Sequence, residues 1–314
     1  MTTSNSVDFS VTRDEIITAA MRSARIIGID QTPTSGEITT GAQALNMIVK
    51  QWQGKSDFAP GLKVWSRKRA YLFLNTGTNQ YALGPSGDHW TATLNQTTIS
   101  AAEAAGQTVL SVTSTTGMTA ADYIGIKLDS GALQWTTIVS TGAGPVVTVT
   151  DALTGAAAAG NQVYWYTTKA RRPVNILTAV LRDSDNVDIP LGFMNLEEYQ
   201  SITDKTADSD PTAIFYEAQL TNGQLYTDFE PDDVTKQIYC VFLSPIEDFD
   251  VLTDTPDYPQ EWFRALKYQL AMDLAPEFGR PIAADLKVLR DESLVMARQL
   301  YADESRYFFE PDRE

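Results

Sequence analysis

The sequence is poor in the side chains that most often carry chemistry. It holds one cysteine, Cys240, and one histidine, His89, in 314 residues. A lone cysteine excludes an intrachain disulfide, and its neighbours Ile238, Tyr239, Val241 and Phe242 predict a thiol buried in a strand, consistent with synthesis in the cytosol. A lone histidine leaves a histidine-based zinc site short of ligands. Gly84-Pro-Ser-Gly87 lacks the spacing of a nucleophile turn, and no glycine-rich phosphate loop precedes a helix. His89 is therefore read as structural or solvent-facing, with no catalytic residue, cofactor or metal assigned. Apolar runs are too short to span a bilayer, and MTTSNSVDFS has no basic region followed by an apolar core, so neither a membrane segment nor a secretion signal is expected. Basic residues are scarce too: 24 Lys and Arg face 40 Asp and Glu, a formal charge of −16. A surface of that sign repels phosphate and disfavours stable binding along a nucleic-acid backbone. It suits a wall past which DNA slides without sticking.

What is present is a folded chain with 43% hydrophobic and 10% aromatic residues. Thr12-Arg-Asp-Glu15 fits a capping box, in which hydroxyl and carboxylate each satisfy an orphan N–H of the first turn. Ile16, Ala20, Ala24 and Ile27 then line one stripe up to Gly28. Thr34-Ser-Gly-Glu37 repeats the device before Ile38, Ala42, Leu45, Val49 and Trp52. At the other end, Pro259 opens a helix with Phe263, Leu266, Leu270 and Leu274 on one stripe; Gly279 and Pro281 stop it. Ile282, Leu286, Leu289, Met296 and Leu300 form a second stripe. Two hairpins of amphipathic helices have complementary needs, so a four-helix bundle built from the two chain ends is expected.

Between the ends the period becomes alternating. Ala70–Leu74 and Gln80–Leu83 read as a β-hairpin across Asn75-Thr-Gly-Thr-Asn79, and Val174–Leu181, Ala213–Tyr216, Gln224–Tyr226 and Lys236–Leu243 as further strands. Residues 195–202 suggest a short helix. From Thr91 to Thr168 the composition shifts to Thr, Ala, Gly and Val, with short strand-like runs between turns; this stretch is read as an inserted β-sandwich or barrel. The expected class is α+β: a helical bundle of N- and C-terminal helices, a central antiparallel β region and an inserted small all-β module. Residues 1–90 and 169–314 form the core, 91–168 the insert and 303–314 an extended arm.

Several stretches carry a resemblance in order along the chain: Ser10-Val-Thr-Arg-Asp-Glu-Ile-Ile-Thr-Ala-Ala20, Ala44-Leu-Asn-Met-Ile-Val-Lys-Gln-Trp52, Gly61-Leu-Lys-Val-Trp65, Tyr71-Leu-Phe-Leu74, Arg172-Pro-Val-Asn-Ile-Leu177, Asp210-Pro211, Asp257-Tyr-Pro-Gln-Glu-Trp262 and Leu274-Ala-Pro-Glu-Phe-Gly279. Together they resemble the head-to-tail adaptors, or tail accessory factors, of short-tailed phages. The resemblance implies a non-enzymatic virion protein at the head–tail junction, made in the host cytoplasm. It implies a homo-oligomeric, dodecameric ring beneath the portal protein, extending the DNA channel without sequence-specific binding and docking the tail nozzle and a fibre or spike. In that family the C-terminal helix and arm clamp the portal, which here designates Leu286, Leu289, Met296, Leu300, Tyr307, Phe308 and Phe309. Aromatics at a chain end make sense where a partner pocket receives them.

Two other classes stay open. The many carboxylates can hide a glycosidase pair, which would make a tail-associated cell-wall hydrolase. The insert can bind receptor or carbohydrate through Trp90, Trp135, Tyr164 and Trp165, although strand alternation places such aromatics in cores more often. The acidic runs Asp183–Asp188 and Asp248–Asp254 lack the glycine and closing glutamate of an EF-hand loop and read as solvated turns.

Overall fold

The computed structural model describes residues 5–54, 61–62 and 64–300. Contacts divide the chain into two units, Met1–Ser66 with Ile246–Glu314, and Arg67–Pro245. Five α-helices occur among the described residues: α1 (Arg13–Ser23), α2 (Ser35–Trp52), α3 (Leu196–Ser201), α4 (Phe263–Glu277) and α5 (Ala284–Leu300).

In the first unit, both expected capping boxes form. Thr12 and Thr34 each accept from the backbone N–H three residues on, and Glu15 and Glu37 reach back to the cap N–H. Helix α1 ends earlier than its stripe implies. Ala24 is its C-cap, Arg25 takes a left-handed φ of 60°, and the Ile26 N–H closes on the Met21 carbonyl at 2.9 Å. At the end of α4, Gly279 takes φ 66° and the Arg280 N–H bonds the Ala275 carbonyl at 2.7 Å, the stop expected from Gly-Arg-Pro. α1, α2 and α5 each pack on α4, and α1 on α2.

The second unit is built of strands. A five-stranded sheet has the order β11 (Asp188–Pro190), β10 (Asn175–Arg182), β15 (Gln237–Leu243), β1 (Arg67–Phe73) and β3 (Trp90–Thr91). Its inward residues Ala70, Leu72, Ile176, Ala179, Leu181, Ile238, Cys240 and Phe242 form one core. A four-stranded sheet runs β12 (Gly192–Phe193), β13 (Ala213–Glu217), β14 (Gly223–Thr227) and β2 (Gln80–Leu83). The third, six-stranded sheet is made wholly of residues from the expected insert: β4 (Asn95–Thr98), β9 (Gln162–Tyr166), β6 (Tyr123–Lys127), β7 (Leu133–Thr141), β8 (Val146–Val149) and β5 (Val109–Ser111). Its core is almost entirely aliphatic, from Ile99 to Val163, with Trp165 the one aromatic.

Two expectations are overturned. The fold is not a helical bundle: it is mostly β, with three sheets of five, four and six strands against five helices among the described residues. The four longer helices do share an apolar cluster, but α4 is its centre. Irregular residues Ile246, Phe249 and Tyr258 fill space that a bundle would give to interdigitating helix stripes. Trp52, Trp65, Tyr258 and Trp262 pack there with ring centroids 5.0 to 6.2 Å apart. The hairpin of Ala70–Leu74 with Gln80–Leu83 is also absent. β1 pairs with β15 and β3, whereas β2 pairs with β14 in another sheet. The turn between them is pinned by the buried Tyr81 hydroxyl, which bonds the Asn75 and Thr78 carbonyls at 3.2 and 3.0 Å and turns the chain out of its first sheet.

Candidate functional site

The residues designated for an interface lie on or beyond α5. This helix buries Leu286, Ser293, Leu294 and Ala297. Leu286 is 6% exposed and belongs to the protein's own core, and Leu289 is half-buried. Met296 lies on the outer side at 56% exposure, with Val288 at 54% and Val295 at 50%. Spacings of seven and eight residues from Val288 to Val295 and Met296 put the three on neighbouring parts of one face. Leu300 ends α5; Tyr307, Phe308 and Phe309, and the arm 303–314 as a whole, lie outside the described residues. Val288 and Val295 fall off the expected stripe of Ile282, Leu286, Leu289, Met296 and Leu300, of which Leu286 is buried and Met296 exposed. A two-sided apolar pattern was the available signal.

The chain's one histidine sits in an aromatic seam within the second unit. His89 stacks on Trp135 with centroids 3.8 Å apart and planes 7° from parallel, and its Nδ1 is 2.6 Å from the Tyr166 hydroxyl. Tyr123 meets it edge-on at 5.7 Å. Phe73 and Val234, from outside the insert, join Leu133, Tyr164 and Tyr166 from inside it in one apolar cluster. Burial, with Lys169 nearby, pushes the imidazole pKa down to about 3, so the ring is neutral at pH 7. Burial likewise pushes the Tyr166 hydroxyl up. Gly125 on β6 makes room for the stack: a Cβ there would lie 2.8 Å from the Trp135 ring. A neutral imidazole clamped between rings holds two parts of the sheet unit together.

The stacking candidates point inward. Trp90, Tyr164 and Trp165 are buried, and Trp135 is the half-buried partner of His89. Within the acidic runs, Asp183 and Asp254 serve their own backbone, and Asp248 pairs with Lys50 at 2.5 Å. Asp183 accepts from the N–H groups of Asp185 and Val187, both at 2.9 Å, and Asp254 from those of Asp250 and Val251 at 2.7 Å. Asp188 makes a two-pronged pair with Arg182 at 2.6 and 2.7 Å, which holds its carboxyl below the usual range. Among the described residues no group of three or more His, Cys, Asp or Glu is arranged to hold a metal ion, and no helix is long and apolar enough to cross a membrane. Cys240 is buried in β15, where desolvation raises its thiol pKa far above the ordinary value.

Compared with known proteins, the chain matches no family model and no curated protein.

Proposed function

We propose that the chain is a structural adaptor of a phage virion, assembling as a ring beneath the portal and carrying the DNA channel toward the tail. The ordered series of motifs from Ser10 to Gly279 supports this reading. So does one feature of the fold: both chain ends join in a single helical unit, whose last helix carries Val288, Val295 and Met296 outward just before the aromatic arm. Apolar side chains of that size on a helix already anchored by its other face are the raw material of an interface. In this reading α4 fixes α5, the outer face of α5 and the arm grip the portal, and the acidic balance of the chain keeps DNA moving. Nozzle and fibre would dock on the sheet unit.

Electron microscopy of the protein mixed with portal-bearing capsids tests the reading. Density forming a ring directly beneath the portal is expected; density elsewhere, or none, retires it. Removing Arg306–Glu314 should leave the subunit folded, by circular dichroism, and abolish co-sedimentation with capsids. A truncated chain that still co-sediments would sink the clamp.

A further inference from the structure

An apolar groove of about 220 Å³ lies between the segment before α1, α1 itself and the first turns of α4, lined by Phe9, Val11, Ile16, Ala19 and Phe263. Phe9 is 64% exposed and meets Phe263 at 6.2 Å between centroids, and Gln260 Nε2 donates to the Val7 carbonyl at 2.6 Å, which ties this segment to the start of α4. The rim is cationic. Arg264 and Lys267 line the groove, and each hangs over the Tyr268 ring, at 5.7 and 4.1 Å from its centroid. Glu15, the acidic lining residue, has its carboxylate engaged at 2.8 and 3.0 Å by the N–H and hydroxyl of Thr12.

Helix α5 returns along α4 from the Gly279 turn and packs against the 3₁₀ turn Gln260–Trp262 that precedes α4. Its C-terminal end is thus brought back to the end of α4 that carries the groove. In its last turn, Arg298 has Nε and Nη2 shielded from solvent with no hydrogen-bond acceptor among the described residues. The sequence that follows Leu300 sets Tyr307, Phe308 and Phe309 among five carboxylates, Asp303, Glu304, Glu310, Asp312 and Glu314, against two cations, Arg306 and Arg313, an acidic balance overall. These aromatics stand seven to nine residues past Leu300, a reach of roughly 23–30 Å at about 3.3 Å per residue. α4 itself, at about 1.5 Å per residue, is roughly 22 Å long, so the groove is within range.

We propose that this groove receives the aromatic segment Tyr307–Phe309 of the same chain. The aromatic character of the segment matches the apolar slot, and its acidic balance matches the cations Arg264 and Lys267 at the rim. Aromatic anchors with a complementary charged rim are what such a slot recognises. On the adaptor reading, from which only this consequence is taken, the arm is parked on its own subunit until the portal displaces it.

Cysteine cross-linking of the full-length chain tests the docking, because the native Cys240 is buried and its thiol is a poor nucleophile. An Ala19→Cys, Phe308→Cys chain should form an intramolecular disulfide with a yield roughly tenfold above a Met47→Cys, Phe308→Cys control, since docking raises the local thiol concentration. Adding Arg264→Glu and Lys267→Glu should return the yield to the control. Equal yields in both cysteine pairs overturn the proposal, as does a disulfide that links two chains, which assigns the groove to a neighbour's arm. Independently, Phe308→Ala with Phe309→Ala should speed amide exchange over Phe263–Lys267 by about tenfold; unchanged exchange overturns the docking. Capsid co-sedimentation of the reduced chain is read separately, so a docked arm without portal binding supports the groove while sinking the adaptor reading.

Discussion

Helices α4 and α5 are fifteen and seventeen residues long, lie next to one another in the chain and pack together, yet they are built to opposite ends. α4 buries Ala265, Leu266, Leu270, Ala271, Leu274 and Ala275, positions that run round much of its circumference, because α1, α2 and α5 all lean on it. α5 buries a narrower stripe and leaves three large apolar side chains in water. A helix buried on most sides is a core element, whereas α5 is covered on its inner face and keeps apolar side chains on its outer one. The difference separates what the first unit needs in order to fold from what it leaves in water.

The largest expected effect tests the hub. Leu270 is fully buried in the middle of α4, so Leu270→Ala removes apolar contacts and leaves a cavity with helix on several sides. Loss of about 2–5 kcal/mol of stability is expected, measured by urea unfolding. A loss below about 1 kcal/mol would mean that the neighbours collapse into the space and that α4 is no hub.

A smaller effect lies where the two helices meet. Asp273 of α4 is partly buried, and desolvation, its largest influence, raises its carboxyl pKa; Gln269 donates to it at 3.0 Å and Arg290 of α5 offsets part of the rise. A carboxyl raised in the folded state binds a proton more readily folded than unfolded. Its contribution is therefore fully present below 3.8 and lost as pH rises through the folded value. Asp273→Asn should accordingly be more stable than the native chain at neutral pH, by a few tenths of a kcal/mol given the solvent that still reaches the group. That advantage should vanish as pH falls toward 3.8, and thermal melts of both chains across pH 3–7 measure it. An advantage independent of pH would assign the gain to packing.

The helix signals were legible because they are local. Thr12 with Glu15, Thr34 with Glu37, and Gly279 all act within a turn of themselves, and each does in the structure what its spacing implies. Where α1 ends was not legible, since a left-handed Arg25 stands where glycine is usual. Nor was strand partnership: alternation in β1 and β2 says which side chains face inward but nothing about which strand lies alongside, and the two belong to different sheets. The bundle reading failed for a related reason. Stripes of the correct period say nothing of Tyr258, Phe249 and Ile246, which take up the same space, nor of a larger unit that is all sheet and short helix. The His89 seam was out of reach because Trp135 and Tyr166 come from 46 and 77 residues away along the chain.

The smallest expected change in stability carries the most information about what α5 is for. Val288, Val295 and Met296 each leave half or more of their surface exposed, so replacing all three by Glu removes little buried area and substitutes a better helix former for the two valines. The triple variant should melt within about 1.5 kcal/mol of the native chain, because substitutions at exposed sites are usually worth no more than about 0.5 kcal/mol each. If the outer face of α5 is an interface, three carboxylates at its centre leave charges without partners in a desolvated patch, and co-sedimentation with portal-bearing capsids should be lost altogether. A fold that weakens by several kcal/mol would show that the face is already packed within the subunit. Attachment that survives would show that these side chains have no partner, and that Met296, for all its exposure, is only the outer edge of the stripe that holds α5 to α4.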